Sequence, residues 1–129
     1  MDEAMMQRLM MVAVAGALGT LARYGLGGAV QRAAGGDYPW GTLAVNVLGC
    51  FLFGLVWSLA NERLVISRET QIVLLGGFMG AFTTFSTFIF DTHGLMQDAR
   101  WLLATGNVLI QTLVGMGSLF LGIVAARFF

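Results

Sequence analysis

The segment Gly76-Gly77-Phe78-Met79-Gly80-Ala81-Phe82-Thr83-Thr84-Phe85-Ser86-Thr87-Phe88 places three glycines and four hydroxyl residues inside an apolar run, 72–90. That run approaches the ~20 residues needed to cross a bilayer as a helix. Glycine and β-branched or hydroxyl side chains are nevertheless poor material for a continuous helix. Irregular backbone at membrane depth is tolerated only where it is buried in protein or lines a wet cavity. A break here would leave carbonyls and amide hydrogens near the bilayer centre, ready to hold an ion. Helix packing is the plainer account of the glycines, because Gly76 and Gly80 have GxxxG spacing. Packing does not account for Thr83, Thr84, Ser86 and Thr87 beside them, so the composition predicts a broken helix.

Three further runs have a similar length: 9–30, interrupted only by Arg23, then 41–60 and 101–126. The runs are continuous and lack the alternation of a barrel strand. Over the whole chain 57% of residues are hydrophobic and 11% charged, against about 25% charged in a soluble domain. A mean hydropathy of +0.80 leaves too little polar surface to cover a water-facing particle. The expected fold is all-α and membrane-embedded, a single four-helix transmembrane domain over 1–129 with its third helix broken. The apolar stretch before Ala13-Val14-Ala15 is too short for a cleavable leader, so the first span is expected to remain in the mature protein.

Charge excludes several classes of function. Net charge is zero, so no basic field for nucleic acid exists. The one cysteine, Cys50, lies in an apolar run, and the one histidine is His93, so no disulfide framework or Cys/His metal spacing is present. All seven cations are arginine. Arg8, Arg63, Arg68 and Arg127 fall on the side of the N-terminus and the 61–71 connection, and Arg32 and Arg100 on the other. Arg23 is expected to snorkel to that second side from the end of the first helix. Tyr24, Tyr38, Trp40 and Trp101 mark the same interface, and Trp57 the opposite one. Four arginines against three is almost no bias, and bias is what fixes orientation. Four thin helices also enclose little pathway alone. An antiparallel, dual-topology homodimer answers both facts; a weakly biased single topology is the alternative.

Two other spans carry polar side chains at helical spacing. Thr42 and Asn46 share a face with Gly49, and Asn107, Gln111, Gly115 and Ser118 form a stripe along the last span. Buried amides also glue helices together, and Gln111 by itself fits either use. The groups are overwhelmingly donors: amides, hydroxyls and the Arg23 guanidinium. No carboxylate lies deep in a span, and Asp91 stands at the end of the third. A cation or proton carrier usually needs an intramembrane acid. Phe85 and Phe88, three apart, could turn positive ring edges toward a small anion. The physics therefore reaches a small-anion pathway in a dimer.

In its ordered motifs the chain resembles the Fluc fluoride channels, also called the CrcB family. The resemblance runs from Gly16-x-x-Gly19-x-x-x-Arg23-Tyr24 through Gly41-Thr42-Leu43-Ala44-Val45-Asn46-Val47-Leu48-Gly49 to Thr83-Thr84-Phe85-Ser86-Thr87-Phe88. It implies a dual-topology homodimer with two fluoride pores in a bacterial plasma (inner) membrane. Asn46 would be the pore asparagine, Phe85 and Phe88 the paired pore phenylalanines, and Ser86 and Thr87 hydroxyls near those rings. Arg23 would stand at a wide aqueous vestibule; Thr42, by its spacing from Asn46, is expected on the same pathway. The resemblance also implies a structural sodium ion at the dimer centre, on the backbone carbonyls of Gly80 and Thr83. Two departures stand out. Some members carry Tyr and Ser where Asn107, Gln111 and Gly115 fall, and some have Glu where this chain has Asp91. The implied activity is passive export of fluoride, with no substrate chemically changed and hence no enzyme. The rival is a small multidrug-type dual-topology antiporter, which needs a glutamate in its first helix; Asp2 and Glu3 precede the span.

Overall fold

The computed structural model describes residues 1–129 and is helical throughout. Helix α1 covers Glu3–Ala34 and α2 covers Trp40–Asn61. Helix α3 runs over 68–82, opening with Arg68–Gln71, widening to π-helical bonding over Ile72–Met79 and closing with Gly80–Phe82. Helix α4 is Phe85–Gln97, and α5 is Trp101–Ala125, tightened at its end by a 3₁₀ turn, Ala126–Phe128. Between α3 and α4 stand two extended residues, Thr83 (φ −83°, ψ 157°) and Thr84 (φ −147°, ψ 110°).

Four stretches are long and apolar enough to cross a membrane: Glu3–Ala34, Trp40–Asn61, Arg68–Gln97 and Trp101–Phe128. Large apolar side chains such as Leu21, Leu102 and Leu113 are two-thirds exposed or more, which suits a lipid or protein surface and not water. The protein is a multi-pass membrane protein.

The helices outrun the apolar windows at most ends. The stretch 91–97, expected as connection, is helical, and α1 starts before Leu9 and ends beyond Val30. Hydropathy marks where the chain leaves hydrocarbon, whereas the helix stops only when its hydrogen bonding is captured elsewhere. At the start of α1, Asp2 does the capturing, accepting from the Met5 amide at 2.7 Å. Arg23 consequently does not sit at the end of α1 as expected; it lies roughly three turns before it.

Helices approach closely through small residues, as lipid-solvated bundles require. A Cβ at Gly54 would overlap the Leu119 carbonyl, and one at Gly122 the Phe51 carbonyl, so α2 and α5 touch backbone to backbone. Ion pairs tie the connections at the two ends. Arg8 meets Glu69 at 2.7 Å at one end, and Arg100 meets Asp37 at 3.0 Å at the other. The first connection is further pinned by Gln31, whose amide donates to the Tyr38 carbonyl at 3.0 Å and accepts from the Gly41 amide at 3.0 Å.

Candidate functional site

Most of the buried polar side chains gather around the extended pair. Once the chain leaves the helix at Thr83, the Thr84 amide no longer reaches the Gly80 carbonyl. It donates instead to Asn46 Oδ1 of α2 at 2.8 Å. Asn46 Nδ2 returns a bond to the Thr84 carbonyl at 3.1 Å, so one side-chain amide holds both faces of one residue. The Thr87 amide, which would serve the Thr83 carbonyl in a continuous helix, goes to Thr84 Oγ1 at 3.3 Å as an N-cap of α4. The carbonyls of Gly80 and Thr83 thus lose their helical donors together. Gly49, one turn beyond Asn46, lets α2 come this close, because a Cβ there would overlap Thr83 Cγ2.

From Asn46 a relay of amides and hydroxyls crosses to α5 and back. Asn46 Nδ2 donates to Gln111 Oε1 at 2.8 Å, and Gln111 Nε2 to Asn107 Oδ1 at 3.3 Å. Asn107 Nδ2 donates to Thr92 Oγ1 at 2.9 Å, and the Thr92 hydroxyl to the Phe88 carbonyl at 2.8 Å. Asn107 is wholly buried and Gln111 is 9% exposed, so little water competes for the bonds around Asn107. Thr92 was outside the sequence-derived candidates. Its signal was its place one helical turn after Phe88, on the face that meets the α5 stripe.

Two cavities flank Thr84, which lines both. The inner one, about 360 Å³, is walled by Asn46, Thr83, Phe85, Phe88 and Gln111. Phe85 and Phe88 meet edge to face, centroids 5.8 Å apart at 62°; Phe88 is buried and Phe85 is 75% exposed. The outer one, about 560 Å³, is lined by Arg23, Arg32, Thr42, Thr87 and Asp91. Thr42 Oγ1 donates to Asp91 Oδ2 at 2.7 Å across it. Neither Arg23 nor Arg32 has an ion-pair partner within the chain, although the lining of the outer cavity also holds the carboxylates of Asp37 and Asp91. Beyond it, in the first connection, Tyr38 packs on Trp40 with centroids 4.6 Å apart, and burial raises its hydroxyl pKa above the ordinary tyrosine value.

The sequence-derived residues are therefore partly assembled. Asn46, Phe85, Phe88, Gln111 and Thr83 share the inner cavity, and Arg23, Thr42 and Thr87 the outer one. Asn107 stands behind Gln111, out of the cavity wall. Ser86 and Gly80 lie exposed on the surface of the chain. Ser118 is turned away: its hydroxyl donates to the Val47 carbonyl at 2.9 Å and lines an apolar groove with Trp40 and Leu43. It is helix glue in this geometry, because the α5 stripe curves off the cavity as the helix crosses α2.

Comparison with known proteins places this architecture. Residues 10–123 match the family described as CrcB-like protein, Camphor Resistance (CrcB). The fluoride-specific ion channel FluC of Solidesulfovibrio magneticus is 54% identical over 123 residues, covering 95% of this chain and 98% of the relative. The protein of that name in Nitrosococcus oceani is 52% identical over 118 residues, covering 92% and 94%. That of Nitratidesulfovibrio vulgaris strain Miyazaki F is 51% identical over 122 residues, covering 95% and 98%.

Proposed function

The chain belongs to the CrcB family, and from that membership we propose that it is a fluoride-selective channel giving passive export of the ion. The observation that carries the mechanism is the arrangement at Thr84, held by Asn46 between two cavities. Arg23 and Arg32, free of ion pairs within the chain, offer an entering anion its first partners in the outer cavity. Stripping a small anion of water in low dielectric is expensive, of order 20 kcal/mol by an idealised Born estimate. Asn46, the hydroxyl of Thr84 and the ring edges of Phe85 and Phe88 replace that water along the inner cavity, with the Thr87 hydroxyl on the outer side. No bond in the ion is made or broken. In acidic surroundings hydrogen fluoride enters neutral and dissociates inside, and the channel releases the trapped anion.

The working unit in this reading is an antiparallel homodimer in a bacterial plasma membrane. Phe85 and Phe90, each about three-quarters exposed, and the inner cavity, walled by one chain only, support a second copy closing the pathway. The near-equal arginine count supports opposite orientations. We read the extended pair Thr83–Thr84 as a functional break of the third helix. The carbonyls of Gly80 and Thr83, deprived of helical donors, have the chemistry of a hard-cation site and would hold a structural sodium ion at the dimer centre. Sodium there would neutralise the dipoles of carbonyls left without donors.

A small multidrug-type antiporter is not supported. Asp2 is committed to capping α1, Glu3 is exposed at its first turn, and the family match points elsewhere. Fluoride efflux from liposomes containing the purified protein, followed with a fluoride electrode, tests the reading. Fluoride release with chloride retained is the expected result, and equal passage of both, or of neither, would sink it.

A further inference from the structure

The relay from Thr84 to Phe88 has only one possible polarity. The single Thr92 proton goes to the Phe88 carbonyl, which can only accept, so Thr92 Oγ1 must accept from Asn107. Asn107 then presents its oxygen to Gln111, which donates to it and turns its own oxygen to Asn46. At the far end the Thr84 amide, which can only donate, fixes Asn46 Oδ1. Both hydrogens of Asn46 Nδ2 are therefore occupied, one by the Thr84 carbonyl at 3.1 Å and one by Gln111 Oε1 at 2.8 Å. An anion in the inner cavity finds no free donor on Asn46.

We propose that Gln111 Oε1 is the internal stand-in for the anion, occupying the Asn46 donor until an entering fluoride displaces it. The inference rests on the channel reading above. Of the two acceptors on Asn46 Nδ2, the Thr84 carbonyl is fixed in backbone, whereas Gln111 is a flexible side chain that itself lines the cavity. A carbonyl oxygen and fluoride are of similar size, so the vacated position suits fluoride. The stand-in also prevents an orphaned buried donor while the pathway is empty. Gln111 is thus a specificity-determining residue as well as a helix tie, and Asn107 is the positioning residue that sets its orientation.

Two measurements test this. In liposomes, Gln111→Met keeps the bulk and removes the acceptor, leaving the Asn46 donor free. Its half-saturating fluoride concentration, with flux normalised to dimer recovered, is expected to fall about three- to tenfold. A tie between helices and nothing more predicts an unchanged half-saturation with a lower yield, and that result overturns the proposal. In wild-type protein in nanodiscs, the side-chain ¹⁵N signals of Gln111 and Asn46 should shift together on titration with sodium fluoride and stay put with sodium chloride. Signals that remain fixed at saturating fluoride overturn it even if the Met variant does not fold. A wild-type protein that passes no fluoride removes the channel reading and this inference with it; a conducting wild type with unmoved half-saturation removes the inference alone.

Discussion

Asn46 grips Thr84 at both ends of that residue, accepting from its amide at 2.8 Å and donating to its carbonyl at 3.1 Å. A side-chain amide here does the work of the missing helical turn. Asn46→Asp keeps the acceptor for the Thr84 amide but sets a carboxylate against the Thr84 carbonyl and Gln111 Oε1. Lost pairing of this kind costs about 1–3 kcal/mol, more with a buried charge. Fluoride flux should vanish and the thermal midpoint in detergent should fall; wild-type flux per recovered protein would remove Asn46 from the pathway.

Gly49 and Thr83 form a second contact that only small atoms permit. Gly49→Ala should push α2 off the extended pair, destabilising the protein by about 1–3 kcal/mol and lowering flux. Thr83→Ser removes the clashing Cγ2 and keeps the hydroxyl bond to the Met79 carbonyl at 3.0 Å. The double variant is therefore expected to regain most of the stability and flux. A double-mutant cycle with purely additive losses would show that the two sites do not meet.

Phe85 and Phe88 separate by burial. Phe85→Ile changes a ring that is 75% exposed in the single chain, whereas Phe88→Ile empties part of a buried position. Both should cut fluoride flux sharply while the dimer still runs as one species in gel filtration, with the stability loss confined to Phe88→Ile. Loss of assembly before loss of flux would make the rings packing elements.

Dual topology is tested in the connection between α2 and α3. Val65 is 61% exposed, so Val65→Cys in a Cys50→Ala background places one reactive thiol there. Labelling by an impermeant maleimide from both sides of the membrane is expected, and labelling from one side only would end the idea. Adding three arginines to one side should force a single orientation and abolish flux until an oppositely biased copy is supplied.

Sodium at the dimer centre predicts one monovalent-ion density on the two-fold axis beside Gly80 and Thr83. An experimental map at high resolution with an apolar or empty axis would dismiss it. Because the proposed ligands are backbone carbonyls, no side-chain deletion at either position should remove the ion selectively.

The four spans were legible in the chain because apolar length against bilayer thickness is a property of sequence alone. Asn46 and Gln111 could be picked out as polar positions at helical spacing on two spans, and Phe85 and Phe88 as rings three apart, but that the four share one cavity came from the structure. Which face meets which was decided by tertiary structure. Ser118 belongs to the same stripe as Gln111, yet it faces the Val47 carbonyl, because α5 crosses α2 where Gly54 and Gly122 let the backbones touch. Arg23 lies well inside a helix that continues past the apolar run. Thr92, on a helix that extends through an expected connection, completes the relay from Asn107 to Phe88. Hydropathy fixes how far a helix sits in lipid; rotation and crossing, set by close contacts between residues distant in sequence, fix what its polar groups can reach.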